Sequence, residues 1–423
     1  MCPRTRSERA SGARVVVVGA GQSGVQVAEA LRAGGHDGPI TLVGDEVVLP
    51  YQRPPLSKEH LAPGGSPVPL PLRAEQVFTD QRIDLRTGVT ATALDRKEQT
   101  VLLDDGATLG YDILVLATGA ANRTPAVPGA DLAGIHTLRT LDDAEALADG
   151  LSRAQRVLVV GAGFVGLEVA AAARAHGLDV TVLEAADRPL SRALTEETAG
   201  HIAEVHRRAG TDLRLGEAVT AFTGDRGRVT GAVSSTGTEY RADLVLAGIG
   251  VVPRTTLAAE AGLPVTDGIV VDENLRTPDP AIYAVGDCAN HPSTHTGTRI
   301  RLESVQNATD QGRHVAAVIL GTAGPYTEVP WFWSHQGALK LQIAGLRLPG
   351  DRSVVCGDPA TGRFSVCCFR GGRLASVESV NRPADHMAAR RLLAAGRSPG
   401  PAQVGDPEFS LKEFARDPVA ART

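Results

Sequence analysis

Residues 157–168 read VLVVGAGFVGLE, and residues 15–26 read VVVVGAGQSGVQ, so one chain carries nearly the same phrase twice. Each copy is an apolar run, a Gly-x-Gly-x-x-Gly turn and a stretch rich in small residues, which predicts a strand, a tight turn and a helix. Glycines let the backbone approach a phosphate, and the helix N-terminus carries about half a positive charge. One such turn is weak evidence, whereas two predict that the chain binds two dinucleotides.

An acidic residue follows each copy at the spacing of a ribose contact. Asp45 lies 21 residues after Gly24, beyond a strand predicted over residues 40–43, and Glu184 lies 18 residues after Gly166. In dinucleotide-binding folds this carboxylate accepts hydrogen bonds from ribose hydroxyls. The spacing disfavours the alternative of two βαβ turns without ligands. Two distant copies indicate a duplicated nucleotide-binding unit and not a solenoid.

The composition is that of a globular protein. The chain has 423 residues, enough for two or three domains, and is 43% hydrophobic and 22% charged. Its net charge of −5 argues against a general nucleic-acid binder. No apolar run reaches the roughly 18 residues that a membrane span needs. We expect a disordered extension over the first dozen residues and a cytoplasmic protein.

Cysteine and histidine spacing predicts neither a metal site nor a close redox pair. The five cysteines contain no Cys-x-x-Cys, and the eleven histidines show no His-Glu-x-x-His. Adjacent Cys367 and Cys368 point to opposite faces if they lie on a strand, and we interpret them as small packed residues.

The remaining segments suggest further elements. Three prolines in PYQRPPLSK predict an extended stretch, with Lys58 at the start of a helix. Apolar runs over 111–119 and 241–250 predict buried strands, and an acidic helix is expected within 123–154. After Pro330 the pattern changes. Short alternating segments at 353–356 and 363–370 predict an antiparallel sheet, followed by a helix over 383–395.

Taken in chain order, the segments GAGQSG, PYQRPPLSK, ATG, GAGFVGLE, AGIG, AVGDCAN, SVQNATDQGR and WFWS carry a specific resemblance. The chain resembles the FAD-dependent pyridine-nucleotide oxidoreductases, and among them the NADH-dependent ferredoxin reductases of bacterial oxygenase systems. PPLSK, WFWS and VNRP discriminate better than the glycine turns. The resemblance implies an α/β protein with two Rossmann-like dinucleotide-binding domains of the glutathione-reductase type and a C-terminal α+β domain. The implied boundaries are an FAD domain over 1–123 and 251–328, an NADH domain over 124–250, and a flavin-covering domain over 329–423.

The resemblance also implies which residues bind FAD. The pyrophosphate would lie on the first glycine turn, Asp45 would meet the adenosine ribose, Asp287 the ribitol, and Lys58 the flavin. The full implied set is Gly19, Gly21, Ser23, Gly24, Asp45, Arg53, Lys58, Ala91, Ala117, Thr118, Gly119, Arg139, Gly286, Asp287, Val305, Trp333 and Gln336.

NADH is expected on the second turn. The Glu184 carboxylate can bond both ribose hydroxyls of NADH and repels the 2′-phosphate of NADPH. Arg188, four positions after Glu184, can swing toward such a phosphate and would favour NADPH. The implied NADH set is Gly161, Gly163, Phe164, Val165, Gly166, Glu168, Glu184, Arg192, Gly248, Ile249 and Gly250.

Lys58 and Glu168 are the predicted catalytic residues. In similar flavoproteins such a pair lies beside the flavin N5, and a buried lysine needs a partner. A purely structural salt bridge is the alternative. The disulfide reductases of the superfamily carry redox cysteines in the first helix, which here reads VQVAEALRAGG and has none. The segment WFWSHQG also departs from the family's usual WFWSDQY, with His335 and Gly337 in place of aspartate and tyrosine.

The resemblance therefore implies a reductase that passes electrons from NADH through FAD to a 2Fe-2S ferredoxin. That ferredoxin would supply a haem-thiolate monooxygenase or a ring-hydroxylating dioxygenase. We expect a monomer or weak homodimer. Two alternatives stay open: a rubredoxin or nitrite-reductase-associated reductase of the same fold, and an NADH-sensing flavoprotein similar to apoptosis-inducing factor.

Overall fold

A computed structural model describes residues 12–65 and 68–417 of the chain. The expected disordered extension and Cys2 therefore lie outside the described residues, except for the end of the extension. The described residues form two compact units. The first unit comprises residues up to 52, 70–121 and 252–328, and the second comprises 53–65, 68–69, 122–251 and 329–417. The predicted domain boundaries stay a prediction.

The first unit is built on a parallel sheet of five strands. Its central strand, Val15–Val18, is the apolar run before the first glycine turn, and all four residues are buried. Both neighbours pair with it in parallel, so each connection must cross back over the sheet. The strands in sheet order are Ile282–Ala284, Ile113–Leu116, Val15–Val18, Ile40–Val43 and Ile83–Arg86.

Helices and two small sheets complete the first unit. The helices are Gln22–Ala33, Glu75–Asp80, Thr256–Glu260 and Val305–Ile319, with a 3₁₀ turn over Gly286–Cys288. One small sheet has strands Ala91–Asp95, Thr100–Leu103 and Thr108–Gly110, and the other has Ile269–Val270, Ala289–Pro292 and Arg299–Ile300. The two longest helices approach closely at Gly312, where a Cβ would lie 2.9 Å from the carbonyl oxygen of Ser23.

The second unit repeats the parallel sheet. Its strands in order are Asp212–Leu215, Asp179–Glu184, Arg156–Val160, Leu244–Ala247 and Ile135–His136. Helices Leu141–Arg153, Phe164–Ala175 and Glu196–Arg208 accompany it, and an antiparallel sheet is formed by Val219–Asp225, Arg228–Ser234 and Glu239–Arg241. Short strands Ala120–Asn122 and Val251–Pro253 lie where the chain passes between the units.

The C-terminal part of the second unit is the expected antiparallel sheet. Its strands in order are Trp331–Gln336, Leu339–Gly345, Arg373–Val380, Arg363–Arg370 and Arg352–Asp358. The predicted helix is confirmed as Pro383–Ala394, and the remaining elements are helices Pro401–Val404 and Leu411–Arg416 and a 3₁₀ turn over Pro359–Thr361. Cys367 and Cys368 are both fully buried, so both faces of their strand are covered.

The PYQRPPLSK segment differs from the prediction. Residues Pro54–Ser57 form a 3₁₀ turn, and Lys58 ends that turn instead of beginning a helix. The expectation of an extended stretch was wrong because the fixed φ of proline also suits the first positions of a tight helical turn. The consequence is that Ser57 and Lys58 sit next to each other at the end of the turn.

No helix among the described residues is long and apolar enough to cross a membrane. Within those same residues, no group of three or more histidine, cysteine, aspartate or glutamate side chains could hold a metal ion.

Candidate functional site

In the first glycine turn two of the three glycines are tightly packed against backbone atoms, whereas the third faces open space. A Cβ on Gly19 would overlap the carbonyl oxygen of Ala117, and one on Gly24 would overlap that of Gly19. Gly19 also has φ +113°, which only glycine adopts readily. A Cβ on Gly21 would meet nothing within 4 Å. The turn is therefore closed toward its own sheet and open at Gly21, where the helix begins.

The helix N-terminus behind Gly21 is suited to a phosphate. No side chain caps the helix Gln22–Ala33, and its first turn contains no acidic residue. The first N–H groups of a helix need external acceptors, and the helix dipole favours an anion there. The second glycine turn repeats these features: Gly163 begins an uncapped helix without acidic residues in its first turn, and the nearest atom to a Cβ on it is 4.0 Å away.

The segment around Asp287 joins the first turn in the same unit. Gly286 has φ +75°, and a Cβ on it would lie 2.8 Å from Ser23 Oγ. The Gly286 N–H donates to Gln311 Oε1 at 2.7 Å, and Gln311 Nε2 lies 3.2 Å from His291 Nδ1. Gln311 is fully buried, so it fixes the backbone that presents the half-buried Asp287.

Asp45 lies beyond the strand end, as predicted, and pairs with Arg254. Arg254 Nη1 donates to Asp45 Oδ2 at 2.5 Å, and the carbonyl of Arg254 accepts the Thr118 hydroxyl at 2.6 Å. Both charged side chains are nearly half exposed, so Asp45 keeps acceptor capacity for a ribose. Of the other predicted FAD residues in this unit, Ala117 to Gly119 follow a central strand, Ala91 begins a strand and Val305 begins a helix.

Glu184 ends its strand against the second glycine turn. Its Oε2 accepts the N–H of Ala162 at 2.7 Å, and its Oε1 accepts the N–H of Ala186 at 2.9 Å. An ionised carboxylate has about four acceptor positions, so each oxygen can still accept a ribose hydroxyl. The side chain is half-buried and held in place, which suits a specificity residue.

Two arginines follow Glu184 and differ in their partners. Arg188 pairs with Glu196 at 3.0 Å and donates to the carbonyl of Ser191 at 3.4 Å, so it is directed away from Glu184. Arg192 is exposed, and its Nη2 would lie 3.7 Å from a Cβ on Gly250. Arg192 therefore stands beside the AGIG segment that follows the strand Leu244–Ala247.

Lys58 and Glu168 form a buried ion pair within the second unit. Lys58 Nζ lies 2.7 Å from Glu168 Oε2, and the two side chains are 15% and 4% exposed. Ser57 donates to the same oxygen at 2.5 Å, and Ser334 donates to Glu168 Oε1 at 2.6 Å. One carboxylate thus accepts from three side chains, two from the end of the Pro54–Ser57 turn and one from the strand Trp331–Gln336.

A further hydrogen-bonded connection leads away from Ser334. Gln336 Nε2 lies 3.4 Å from Ser334 Oγ, and Gln336 Oε1 lies 2.9 Å from His206 Nε2. Burial lowers the pKa of His206 below its usual range, although the hydrogen bond to Gln336 opposes this. The Gln336 amide therefore has internal partners, and its expected flavin contact stays a prediction.

Aromatic side chains surround the remaining part of the strand Trp331–Gln336. Phe332 stacks against Phe164 of the second glycine turn, with ring centroids 4.4 Å apart. Trp333 lies beside Trp331 at 5.6 Å and is half-buried, and Arg390 stacks over Trp331 at 4.2 Å. Elsewhere in this unit Arg53 donates to the carbonyl of Arg139 at 2.6 Å, which brings together two predicted FAD residues.

The thiols are poorly placed for chemistry. All four described cysteines are unpaired and buried: Cys288, Cys356, Cys367 and Cys368. Burial raises the pKa of every one of them, to about 12 for Cys368. Because the thiolate is the reactive form, these cysteines are unsuited to disulfide exchange at neutral pH.

Two open glycine turns, each with an acidic residue at the neighbouring strand end, are the arrangement typical of a protein that binds two dinucleotides. The chain belongs to the pyridine nucleotide-disulphide oxidoreductase family, whose model matches residues 13–312, and residues 331–415 match the reductase C-terminal domain. The predicted fold class is thereby confirmed. The chain is an oxidoreductase that uses FAD and NADH.

Related proteins and solved structures match this chain over nearly its whole length. Rhodocoxin reductase of Rhodococcus erythropolis is 50% identical over 398 residues, 94% of this chain and 93% of that protein. The crystal structure of a ferredoxin reductase from Rhodopseudomonas palustris superposes with a TM-score of 0.93 at 46% identity, covering 95% of this chain and 99% of the other. A covalent putidaredoxin reductase–putidaredoxin complex gives 0.92 at 40% identity, covering 97% and 99%.

Several site residues were missed by sequence reasoning. Ser57 lies in PPLSK and Ser334 in WFWS, but only Lys58 and Trp333 of these motifs were predicted as site residues. Gln311 stands inside the segment SVQNATDQGR, in which no glutamine was predicted to function. Arg254 and His206 lie in no motif, and nothing local marks them. Their roles depend on contacts across the fold: His206 is 130 residues from Gln336.

Proposed function

We propose that this protein is an NADH-dependent ferredoxin reductase that serves a bacterial oxygenase system. One observation carries the proposal. PPLSK, GAGFVGLE and WFWS are among the segments that carry the resemblance, and together they form a single buried cluster: Ser57 and Lys58 from the first, Glu168 from the second and Ser334 from the third. Charged side chains are rarely buried unless they are paired and hydrogen-bonded, so this cluster indicates a functional centre.

FAD would be held by the first glycine turn, Asp45 and the Asp287 segment, and NADH by the second glycine turn, Glu184 and Arg192. Bound FAD supplies acceptance of a hydride from nicotinamide and release of electrons one at a time. In this proposal Lys58 lies beside the flavin, and the ion pair with Glu168 holds the lysine in place. The residues therefore position and stabilise charge, and none acts as a nucleophile.

The electron acceptor follows from what the chain offers. The described thiols are buried and protonated, so a disulfide substrate or relay is disfavoured. Relatives of this chain are ferredoxin reductases, and one of them is known in a covalent complex with its partner. A small 2Fe-2S ferredoxin that feeds a haem-thiolate monooxygenase or ring-hydroxylating dioxygenase is the acceptor we propose. A cytoplasmic location agrees with the use of NADH.

Reconstitution tests this function. The FAD-loaded protein is mixed with NADH and with one acceptor at a time: a 2Fe-2S ferredoxin, a rubredoxin, or glutathione disulfide. We expect rapid NADH oxidation with ferredoxin and little with the disulfide. Faster turnover with rubredoxin would identify the acceptor as rubredoxin. A long-lived NADH complex that reduces no acceptor would favour an NADH-sensing flavoprotein instead.

A further inference from the structure

We propose that His206 is a positioning residue for the Lys58–Glu168 pair and acts through Gln336 and Ser334. The inference rests on the proposed function, in which Lys58 lies beside the flavin. The four residues from His206 to Glu168 are called the Glu168 chain below. Each of them is at most 5% exposed, so water does not substitute for any of its hydrogen bonds.

The hydrogen-bond polarity of the Glu168 chain follows from its chemistry. Gln336 Oε1 can only accept, so His206 Nε2 must carry the hydrogen that joins them. The Gln336 amide nitrogen can only donate, so Ser334 Oγ accepts from it and its own hydrogen is free for Glu168. In every hydrogen bond of the Glu168 chain, the hydrogen therefore points toward the Glu168 carboxylate.

The opposite amide orientation would break this arrangement. With the amide turned over, the Gln336 oxygen would face Ser334 and compete with Glu168 for the serine hydrogen. Because Ser334 has one hydrogen, either its 2.6 Å contact with Glu168 or its contact with the Gln336 oxygen would then lack a hydrogen. The productive orientation places the Gln336 oxygen opposite His206, so it requires the Nε2–H tautomer of the imidazole, and the resulting hydrogen bond holds the amide in that orientation.

The fold holds His206 in place from the other end of its helix. Thr195 caps the helix Glu196–Arg208, and its N–H and hydroxyl donate to the buried Glu378 at 2.9 and 2.8 Å. Glu378 lies on the C-terminal sheet, as do Ser334 and Gln336. The sheet therefore grips this helix at its cap and at its last turn, which fixes the imidazole relative to Gln336.

The effect is exerted on the charge of Glu168. Three donors converge on its carboxylate: Ser334 on one oxygen, and Ser57 and Lys58 on the other. Hydrogen bonds to the charged form stabilise it, and they also spread its negative charge. Losing the Ser334 donor leaves more uncompensated negative charge beside Lys58, which disfavours electron uptake nearby.

The variants Ser334→Ala and His206→Leu test this. In the FAD-loaded proteins we expect a more negative flavin midpoint potential and a flavin reduction by NADH that is about tenfold slower, with NADH affinity unchanged. The change should be smaller in His206→Leu, because Ser334 keeps its hydroxyl. His206→Gln places an amide N–H near the position of the imidazole Nε2–H and should restore the wild-type potential.

Ser365→Ala is the matched control. Ser365 is a buried hydroxyl of the same sheet that bonds Ser379 and Asp385 and lies outside the Glu168 chain. We expect it to lower the melting temperature without moving the potential. Wild-type potential and rate in a folded His206→Leu or in Ser334→Ala, or an equal shift in Ser365→Ala, would overturn the inference. If His206→Leu fails to fold, His206→Asn, whose amide is one methylene shorter than that of glutamine, takes its place and should show the same shift. A wild-type protein that NADH does not reduce would instead refute the proposed function.

Discussion

Lys58 Nζ lies 2.7 Å from Glu168 Oε2, although 110 residues of sequence separate the two. Lys58 ends a proline-initiated turn, and Glu168 lies two residues beyond the second glycine turn. A buried pair contributes little net stability when intact, but removing one partner leaves an uncompensated charge. The cost of leaving one charge unpaired can therefore be measured apart from the net contribution of the intact pair.

Lys58→Met should lower the free energy of unfolding by roughly 3 kcal/mol. It should also slow flavin reduction by NADH while FAD stays bound. The double variant Lys58→Met/Glu168→Gln should regain part of the stability, because no charge is left unpaired, but not the rate. Chemical denaturation and stopped-flow absorbance measure the two. Arg153→Met, which removes an exposed pair with Asp149, is the control and should change stability by less than about 0.5 kcal/mol. An unchanged reduction rate in Lys58→Met would leave the pair as a structural salt bridge only.

Coenzyme preference should follow Glu184. We expect the wild type to use NADH far better than NADPH, and Glu184→Ser to narrow the ratio of their kcat/KM values by about tenfold or more, since hydrogen bonds to charged groups contribute roughly 1.5–3 kcal/mol. Arg188 does not oppose this in the structure, because it pairs with Glu196. Glu204→Ser makes the same charge change on an exposed helix face and should leave the ratio unaltered. Equal use of both coenzymes by the wild type would contradict the charge argument.

Local sequence patterns predict some features of the candidate site, whereas contacts between distant segments decide others. The glycine turns and their acidic residues were predictable, because their pattern is local and each residue type has one physical purpose. The turn at Pro54–Ser57 was not, since proline suits both an extended strand and the first turn of a helix. Ser334 and His206 were beyond prediction, because burial and hydrogen-bond partners across 130 or more residues decide their roles.

Thiol reagents should leave electron transfer intact. Burial raises the pKa of the four described cysteines, so alkylating agents at neutral pH should react slowly with the native protein. A Cys2→Ser background removes the one cysteine outside the described residues. Mass spectrometry after iodoacetamide treatment counts the modified thiols, and NADH oxidation with ferredoxin is followed in parallel. Loss of activity together with modification of Cys288 would point to a thiol role that we do not expect.

Acid should destabilise the protein partly through His291. Burial and the nearby Arg299 lower the pKa of His291 to about 4, so the unfolded chain takes up a proton that the folded chain refuses between about pH 6.5 and pH 4. Stability is therefore unaffected by this group above pH 6.5 and falls progressively as the pH drops toward 4. At pH 5 the loss from this histidine should be about 2 kcal/mol relative to pH 7.5.

The variant His291→Gln isolates this contribution. Its stability difference between pH 7.5 and pH 5, measured by chemical denaturation of the FAD-loaded protein, should be smaller than that of the wild type by the same amount. His335→Gln, at a less buried position, is the control for removing a histidine. A pH dependence that matches the wild type would show that His291 titrates alike in the folded and unfolded chains.

The C-terminal part of the chain carries an excess of basic residues. Residues 331–423 contain 13 lysines and arginines against 8 acidic residues, although the whole chain carries a net −5. Two of those acids, Glu378 and Asp385, are buried, and Asp385 pairs with Arg382. Lys340, Lys412 and, on the helix Val305–Ile319, Arg313 are exposed.

A small 2Fe-2S ferredoxin is generally acidic, so these charges should steer its approach. Steering weakens as salt shortens the Debye length from ~10 Å at 0.1 M to ~3 Å at 1 M. We therefore expect the apparent KM for ferredoxin to rise steeply with ionic strength, while flavin reduction by NADH changes little. Arg313→Glu should mimic high salt for the ferredoxin step alone, and Arg226→Glu, at an exposed turn of the second unit, should not. A salt-independent KM, or an equal loss in both half-reactions, would exclude docking through basic side chains and favour an apolar contact around Trp333.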